Sequence, residues 1–161
     1  IDATRYAKSK IKNSKCIYLS PKGKRIDQAV ISDTAINDNL IIIAGRYEGV
    51  DQRFIDIEVD EEWSIGDYIL SGGEVAACVL IDAIARMIPG VLGHEDSNKD
   101  ESFSNGYLEY PHYTRPEIVA NLSVPEVLLS GNHEEIRKWR EKQAILVTNT
   151  KRSDLIKKKL S

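Results

Sequence analysis

Leu40-Ile41-Ile42-Ile43-Ala44 runs without a polar residue into Gly45-Arg46-Tyr47-Glu48-Gly49. Five apolar positions with no polar alternation describe a strand covered on both faces, the pattern of a parallel sheet flanked by helices. Upstream, Cys16-Ile17-Tyr18-Leu19 is a second β-type run, and Ser20-Pro21-Lys22-Gly23 after it carries the composition of a loop. Between the two strands, Ile26, Ala29, Val30 and Ile36 have helical spacing, and Asn37-Asp38-Asn39 reads as a turn. Downstream, residues 51–62 hold six acids and one arginine and predict a solvated short helix, and residues 64–70 predict a third strand entering Ser71-Gly72-Gly73. Residues 74–87 are apolar almost throughout, with Asp82 and Arg86 as exceptions, and predict a helix buried nearly all round, against the sheet or a partner subunit. Residues 1–15, with Lys8, Lys10, Lys12 and Lys15, read as a surface helix. The alternation of strands and helices gives an α/β class with a parallel sheet.

The 161 residues are 42% hydrophobic and 29% charged, enough for a core and incompatible with wholesale disorder. The longest apolar runs, 40–45 and 75–81, are too short to span a bilayer. No charged-then-apolar leader is visible, so a cytoplasmic protein without a signal peptide is expected. Cys16 and Cys78 each sit among apolar neighbours and are expected as buried, reduced thiols. His94, His112 and His133 are isolated, and no metal site is expected. The net charge of −3 is unevenly spread: from His133 to Ser161 there are nine Lys/Arg against four Asp/Glu, a basic tail on an acidic body. That distribution suits selective contact with a polyanion and equally suits an ordinary soluble helix.

After Pro89-Gly90 the composition changes. Residues 93–106 are polar and aperiodic and read as a linker or lid. Ser123-Val124-Pro125-Glu126 has the form of a capping box, Gly131 of a stop, and Asn132 with Glu135 of a second helix start whose inner face takes Ile136, Trp139, Gln143 and Leu146. The expected organisation is an α/β domain over 1–90, a linker over 91–107 and a small all-helical domain over 108–161.

Three glycine-bearing connections, 20–23, 45–49 and 65–73, follow the C-terminal ends of three strands, where open parallel sheets bind ligands. Glycine there lets backbone approach a flat ligand closely. Neither GxGxxG, GxxxxGK[ST] nor GxSxG occurs, so dinucleotide, P-loop and hydrolase readings lack their signatures.

Tyr18-Leu19-Ser20-Pro21, Gly45-Arg46-Tyr47-Glu48-Gly49, Trp63-Ser64-Ile65-Gly66-Asp67-Tyr68 and Leu70-Ser71-Gly72-Gly73-Glu74 resemble motifs of the bacterial tRNA (guanine-N1)-methyltransferases, members of the SPOUT superfamily. So do Ile88-Pro89-Gly90-Val91-Leu92-Gly93, Pro111-His112-Tyr113-Thr114-Arg115-Pro116 and Val127-Leu128-Leu129-Ser130-Gly131-Asn132-His133, in the same order along the chain. The resemblance implies a parallel α/β domain with a deep trefoil knot, an exception to the rule against threaded loops. It also implies a homodimer whose site is completed by the partner's linker and C-terminal domain. Members carry a further strand and glycine-rich loop before these motifs, so the resemblance implies a chain truncated at its N-terminus.

It further implies that Leu19, Ser20, Pro21, Gly45, Tyr47, Glu48, Gly49, Ile65, Gly66, Asp67, Tyr68, Ile69, Leu70 and Gly72 line a pocket for S-adenosylmethionine. The reaction implied is methyl transfer to N1 of the guanine 3′ of the anticodon. N1 carries a proton that a carboxylate must remove, and an arginine stabilises the charge that spreads to O6. Arg86 matches the family's catalytic arginine. The family's base is an aspartate before a Ser-Phe pair; here Glu101 precedes Ser102-Phe103, with Asp100 as the alternative one residue earlier. Arg46, Tyr113, Arg115, Lys138, Arg140 and Lys142 are the candidate tRNA contacts. A divalent ion is left open, as are two other readings: a knotted RNA- or donor-binding fragment without turnover, and a related enzyme acting on ribosomal RNA.

Overall fold

A computed structural model describes residues 1–37, 39–91 and 101–160. The chain divides into two compact units, Ile1–Glu95 and Asp96–Ser161.

The first unit runs α1 (Asp2–Lys10), β1 (Ser14–Arg25), α2 (Gln28–Asn37), β2 (Asn39–Ala44), α3 (Gln52–Glu58), β3 (Glu61–Ser64) and α4 (Gly73–Ala85). The three strands form one parallel sheet in the order β2-β1-β3. Helix α4 packs over β1 and β2 and against α2, and Leu40 and Ile42 of β2 pack on the core this makes. Ile17, Leu19, Ile31, Trp63, Ala76 and Leu80 make the buried core, drawn from β1, α2, β3 and α4.

Two strands differ from the sequence reading. Ser20-Pro21-Lys22-Gly23 lies within the 12-residue β1. Leu19 and Lys24 both pair with Trp63, so the four residues between them form a bulge that keeps extended backbone without pairing. The third strand is Glu61–Ser64, earlier than the predicted 64–70. Trp63 supplies the reason: it is fully enclosed, and its Nε1 donates to Glu61 Oε2 at 2.6 Å while Lys15 Nζ pairs with Glu61 Oε1 at 2.7 Å. The acids at 51–62 are therefore less solvated than expected. Glu58 is buried, accepting from Arg5 Nε at 2.5 Å, with Lys8 Nζ 3.5 Å away. Asp60 Oδ2 accepts from the Cys16 amide at 2.7 Å.

Helix α4 is also less enclosed than predicted. Ala76 and Leu80 face the core, whereas Val75, Val79 and Ile81 are 61%, 48% and 54% exposed, and Cys78 is exposed with them. Cys16 is the buried thiol, and burial pushes its pKa up.

The second unit is mainly helical but not wholly so. A two-residue antiparallel pair, β4 (Ile118–Val119) and β5 (Leu122–Ser123), precedes α5 (Glu126–Leu129), α6 (His133–Lys151) and α7 (Ser153–Leu160). Its turn residues Ala120 and Asn121 both have positive φ, the geometry of a tight hairpin. Ser123 lies in that pair, two residues ahead of Pro125, which is the N-cap of α5 and carries no side-chain cap bond. Asn132 does cap α6, its side chain accepting from the Glu135 amide. Ile136, Trp139 and Gln143 are half-buried, and the stripe continues through Val147 and Thr148, while Leu146 is exposed. Fully buried Thr148 donates to Ala144 O and accepts from the Leu108 amide at 2.8 Å, tying the start of this unit to α6. Residues 101–107 form turns, with Phe103 N–H donating to Tyr107 O at 2.7 Å. The rest of the predicted linker, 92–100, lies outside the described residues.

Candidate functional site

The middle of β1, where it bulges, the ends of β2 and β3 and the segments that follow those two strands surround one cavity of about 430 Å³. Of the fourteen expected donor-pocket residues, Leu19, Ser20, Pro21, Gly45, Tyr47, Glu48, Gly49, Ile65, Gly66, Tyr68, Ile69, Leu70 and Gly72 line it. Asp67 does not; it is highly exposed and lies 3.8 Å from Arg25 Nη1. Sequence reasoning did not single out Tyr18, Lys22, Glu62 or Trp63 as cavity residues, although Tyr18 and Trp63 open quoted motifs and Lys22 and Glu62 adjoin them.

Close backbone packing shapes the walls. A Cβ on Gly23 would meet the Glu62 carbonyl carbon and the Trp63 nitrogen at 2.4 Å, so the β1 bulge can lie on β3 only with hydrogen at that position. Gly73 starts α4 directly on the end of β2: its N–H donates to Gly45 O at 2.8 Å, and a Cβ there would meet Ala44 Cα at 2.9 Å. Arg46 bridges to Gly72 and its Nε pairs with Glu74 Oε1, stapling the 45–49 loop to the head of α4. The hydrogen bond from Arg46 holds the Glu74 carboxyl below its ordinary pKa. Arg46, an expected RNA contact, is therefore engaged within its own unit.

Most other wall groups are also satisfied locally. Ser64 Oγ donates to Gly66 O and accepts from the Gly66 amide, Tyr68 Oη donates to Ile65 O, and Ser20 Oγ accepts from the Lys22 amide. The rim, by contrast, is apolar and open: Tyr47 is 97% exposed and at positive φ, and Tyr68, Ile69 and Leu70 are exposed. Exposed aromatic and aliphatic groups round a concave, polar-floored cleft are what a flat, partly apolar ligand fits.

Arg86 is the C-cap residue of α4, half-buried and outside the cavity lining. Glu101 is half-buried in the turns that open the described part of the second unit. Asp100 lies outside the described residues. Among the described residues no group of three or more His, Cys, Asp or Glu could hold a metal ion, and no helix is long and apolar enough to cross a membrane.

In the second unit, a cavity of about 460 Å³ is lined by Tyr110, His112, Tyr113, Arg115 and Arg140 among others. Arg140 lies over the Tyr110 ring at 4.8 Å, and Tyr113 packs at a tilt on Trp139 with centroids 6.2 Å apart. Three of the expected RNA contacts, Tyr113, Arg115 and Arg140, thus share one concave surface. Lys138 and Lys142 are not part of it, and Lys138 is paired with Glu134 and Glu135 at 3.1 Å each.

A family model described as "tRNA (Guanine-1)-methyltransferase TrmD" matches residues 1–158. Three curated proteins, each named tRNA (guanine-N(1)-)-methyltransferase, illustrate the similarity. That of Buchnera aphidicola subsp. Schizaphis graminum is 56% identical over 158 residues, covering 98% of this chain and 60% of the relative. That of Sodalis glossinidius is 55% identical over 156 residues, with 96% and 62% covered. That of Pseudomonas fluorescens is 58% identical over 143 residues, with 89% and 57% covered. The chain spans about three fifths of the length of these relatives.

Proposed function

The chain belongs to the tRNA (guanine-1)-methyltransferase family, and on that footing we propose that it takes part in methyl transfer from S-adenosylmethionine to N1 of the guanine 3′ of the anticodon in tRNA. The observation that carries the reading is the convergence of the β1 bulge and the segments after β2 and β3 on a cavity of about 430 Å³, lined by thirteen of the residues that family resemblance assigns to the donor. That volume falls within the range of small-molecule pockets, about 300–1,000 Å³. Gly45 and Gly73 let Tyr18 and the end of β2 pack closely and so shape the cavity wall. When bound, the sulfonium supplies an activated methyl group, so transfer needs no redox chemistry.

The chain's own residues supply the rest. Glu101 takes the N1 proton, with Asp100 as the alternative base, and the Arg86 guanidinium stabilises negative charge at guanine O6. Tyr113, Arg115 and Arg140 offer stacking and phosphate contacts to the anticodon arm, Lys138 and Lys142 add charge along α6, and Arg46 acts chiefly through its staple to Glu74. The proposed organisation is a knotted donor-binding domain over 1–90, a linker over 91–107 and a tRNA-binding domain over 108–161. The proposed assembly is a cytoplasmic homodimer, for which the exposed apolar side of α4 is the supporting feature.

The test is methyl transfer to a tRNA transcript carrying guanine 3′ of the anticodon, beside one with that base replaced. Labelling of the first alone is expected. Donor binding without transfer would leave a non-catalytic binding protein, and donor binding with transfer only to ribosomal RNA would move the substrate class.

A further inference from the structure

Every cavity-wall side chain described above has a partner or open water except one. Glu62 lines the cavity from β3, where it pairs in register with Tyr18 of β1. Among the described residues, its Oε2 is the buried side-chain oxygen that lacks any hydrogen-bond partner. Its neighbour Glu61 has the opposite fate, with Lys15 and Trp63 holding its two oxygens. The other carboxylate of the cavity, Glu48, sits on the exposed 45–49 loop and is served by solvent. Glu62 Oε2 is buried in the unliganded protein, and the β1 bulge packs at Gly23 against the Glu62 main chain.

A buried acceptor without a donor is costly, and native proteins keep few of them. One at the wall of a ligand cavity, where the other polar groups described have a partner or solvent, is accounted for when the ligand brings the missing hydrogen. We propose that Glu62 is a donor-recognition residue whose carboxylate accepts a hydrogen bond from the nucleoside part of S-adenosylmethionine, a ribose hydroxyl or the adenine amine. The nucleoside rather than the amino-acid tail is assigned because the methyl group must leave toward a base arriving from solvent. The sulfonium therefore stays at the open rim of Tyr47, Tyr68 and Ile69, and the nucleoside goes inward, toward β1 and β3. This assignment rests on the function proposed above.

The test is calorimetric titration of the protein, Glu62→Gln and Glu62→Met with S-adenosylmethionine, S-adenosylhomocysteine and methylthioadenosine, together with thermal unfolding of each unliganded form. Glu62→Met is expected to weaken all three ligands alike, by roughly 10- to 100-fold, and Glu62→Gln by less because its amide oxygen still accepts. The unliganded Glu62→Met protein is expected to melt at or above the parent temperature, because removing an unpaired buried carboxylate costs the empty protein nothing. Wild-type affinity in Glu62→Met overturns the assignment. So does a loss confined to the two ligands that carry the amino-acid tail, a loss confined to the sulfonium, or a lowered melting temperature in the unliganded variant. Failure of the parent protein to bind any of the three overturns the functional reading itself.

Discussion

Glu101→Gln keeps the size of the side chain and removes its basicity, so it isolates proton removal from binding. With the amide, kcat is expected to fall by about 10²- to 10⁴-fold, with donor affinity unchanged by calorimetry. Asp100→Asn should leave turnover near the parent value; if it abolishes turnover while Glu101→Gln does not, the base is Asp100. Arg86→Ala removes the charge proposed to face O6 and should lower kcat by about 10²- to 10³-fold, again sparing the donor. These two residues also mark what a single sequence can convey. Arg86 stands out as a charge at the end of an apolar helix, whereas Glu101 is visible only through the Ser102-Phe103 register. Glu62 was legible in neither way: it is one acid among six in 51–62, and only the fold separates it from Glu61, which shares its composition but not its surroundings.

At the scale of elements, the pattern located β2, α2 and α4, because the apolar run at 40–44 and the helical spacing at 26–36 each match one period, whereas α7 and the β4–β5 pair went unread. The bulge in β1 was not legible. Ser-Pro-Lys-Gly ordinarily ends a strand, and its extended course here is set by contact of Gly23 with β3, a tertiary constraint. The third strand began earlier than read because Trp63 needed the core more than Ile65 did. The same rearrangement buries Glu58, the last residue of α3, where the Arg5 hydrogen bond chiefly holds its carboxyl below the ordinary range of about 4.3. Lys8 Nζ also donates to Glu58 O at 2.7 Å, so α1 clamps the end of α3 through both side chain and main chain. A depressed folded-state pKa contributes stability above the unfolded value and loses it as pH falls through the folded value. Melting temperature should therefore hold from pH 7 to about 5 and drop below the ordinary carboxylate range of about 4.3. Glu58→Gln should melt lower than the parent at pH 7, with the gap narrowing toward pH 3. An unchanged gap across that range would show that the clamp is not electrostatic.

The whole molecule poses a question that neither unit answers alone, namely what covers α4. Its inner positions, Ala76 and Leu80, follow the core, and a helix with one buried stripe needs polar groups opposite. This helix instead presents Val75, Cys78, Val79 and Ile81 to the outside of its unit. Such a face is stable in water only if another surface meets it, and stable interfaces bury about 1,600 Å² in total. A second copy presenting the same stripe is the occupant consistent with the proposed homodimer, since a two-fold interface pairs a patch with itself. Val79→Glu tests this at the least cost to the fold. The position is half exposed within its unit, and glutamate is a good helix former, so far-UV circular dichroism should not change. Two carboxylates brought together at a two-fold axis should separate the subunits. Sedimentation velocity is then expected to halve the mass, and methyl transfer should fall with it, because in the proposed assembly the partner's linker and C-terminal domain complete each site. Val79→Met, which keeps the face apolar, should stay dimeric and active. If Val79→Glu keeps the parent mass and turnover, α4 is not the interface. If it becomes a monomer with full turnover, each chain carries a complete site and the shared-site assembly is wrong.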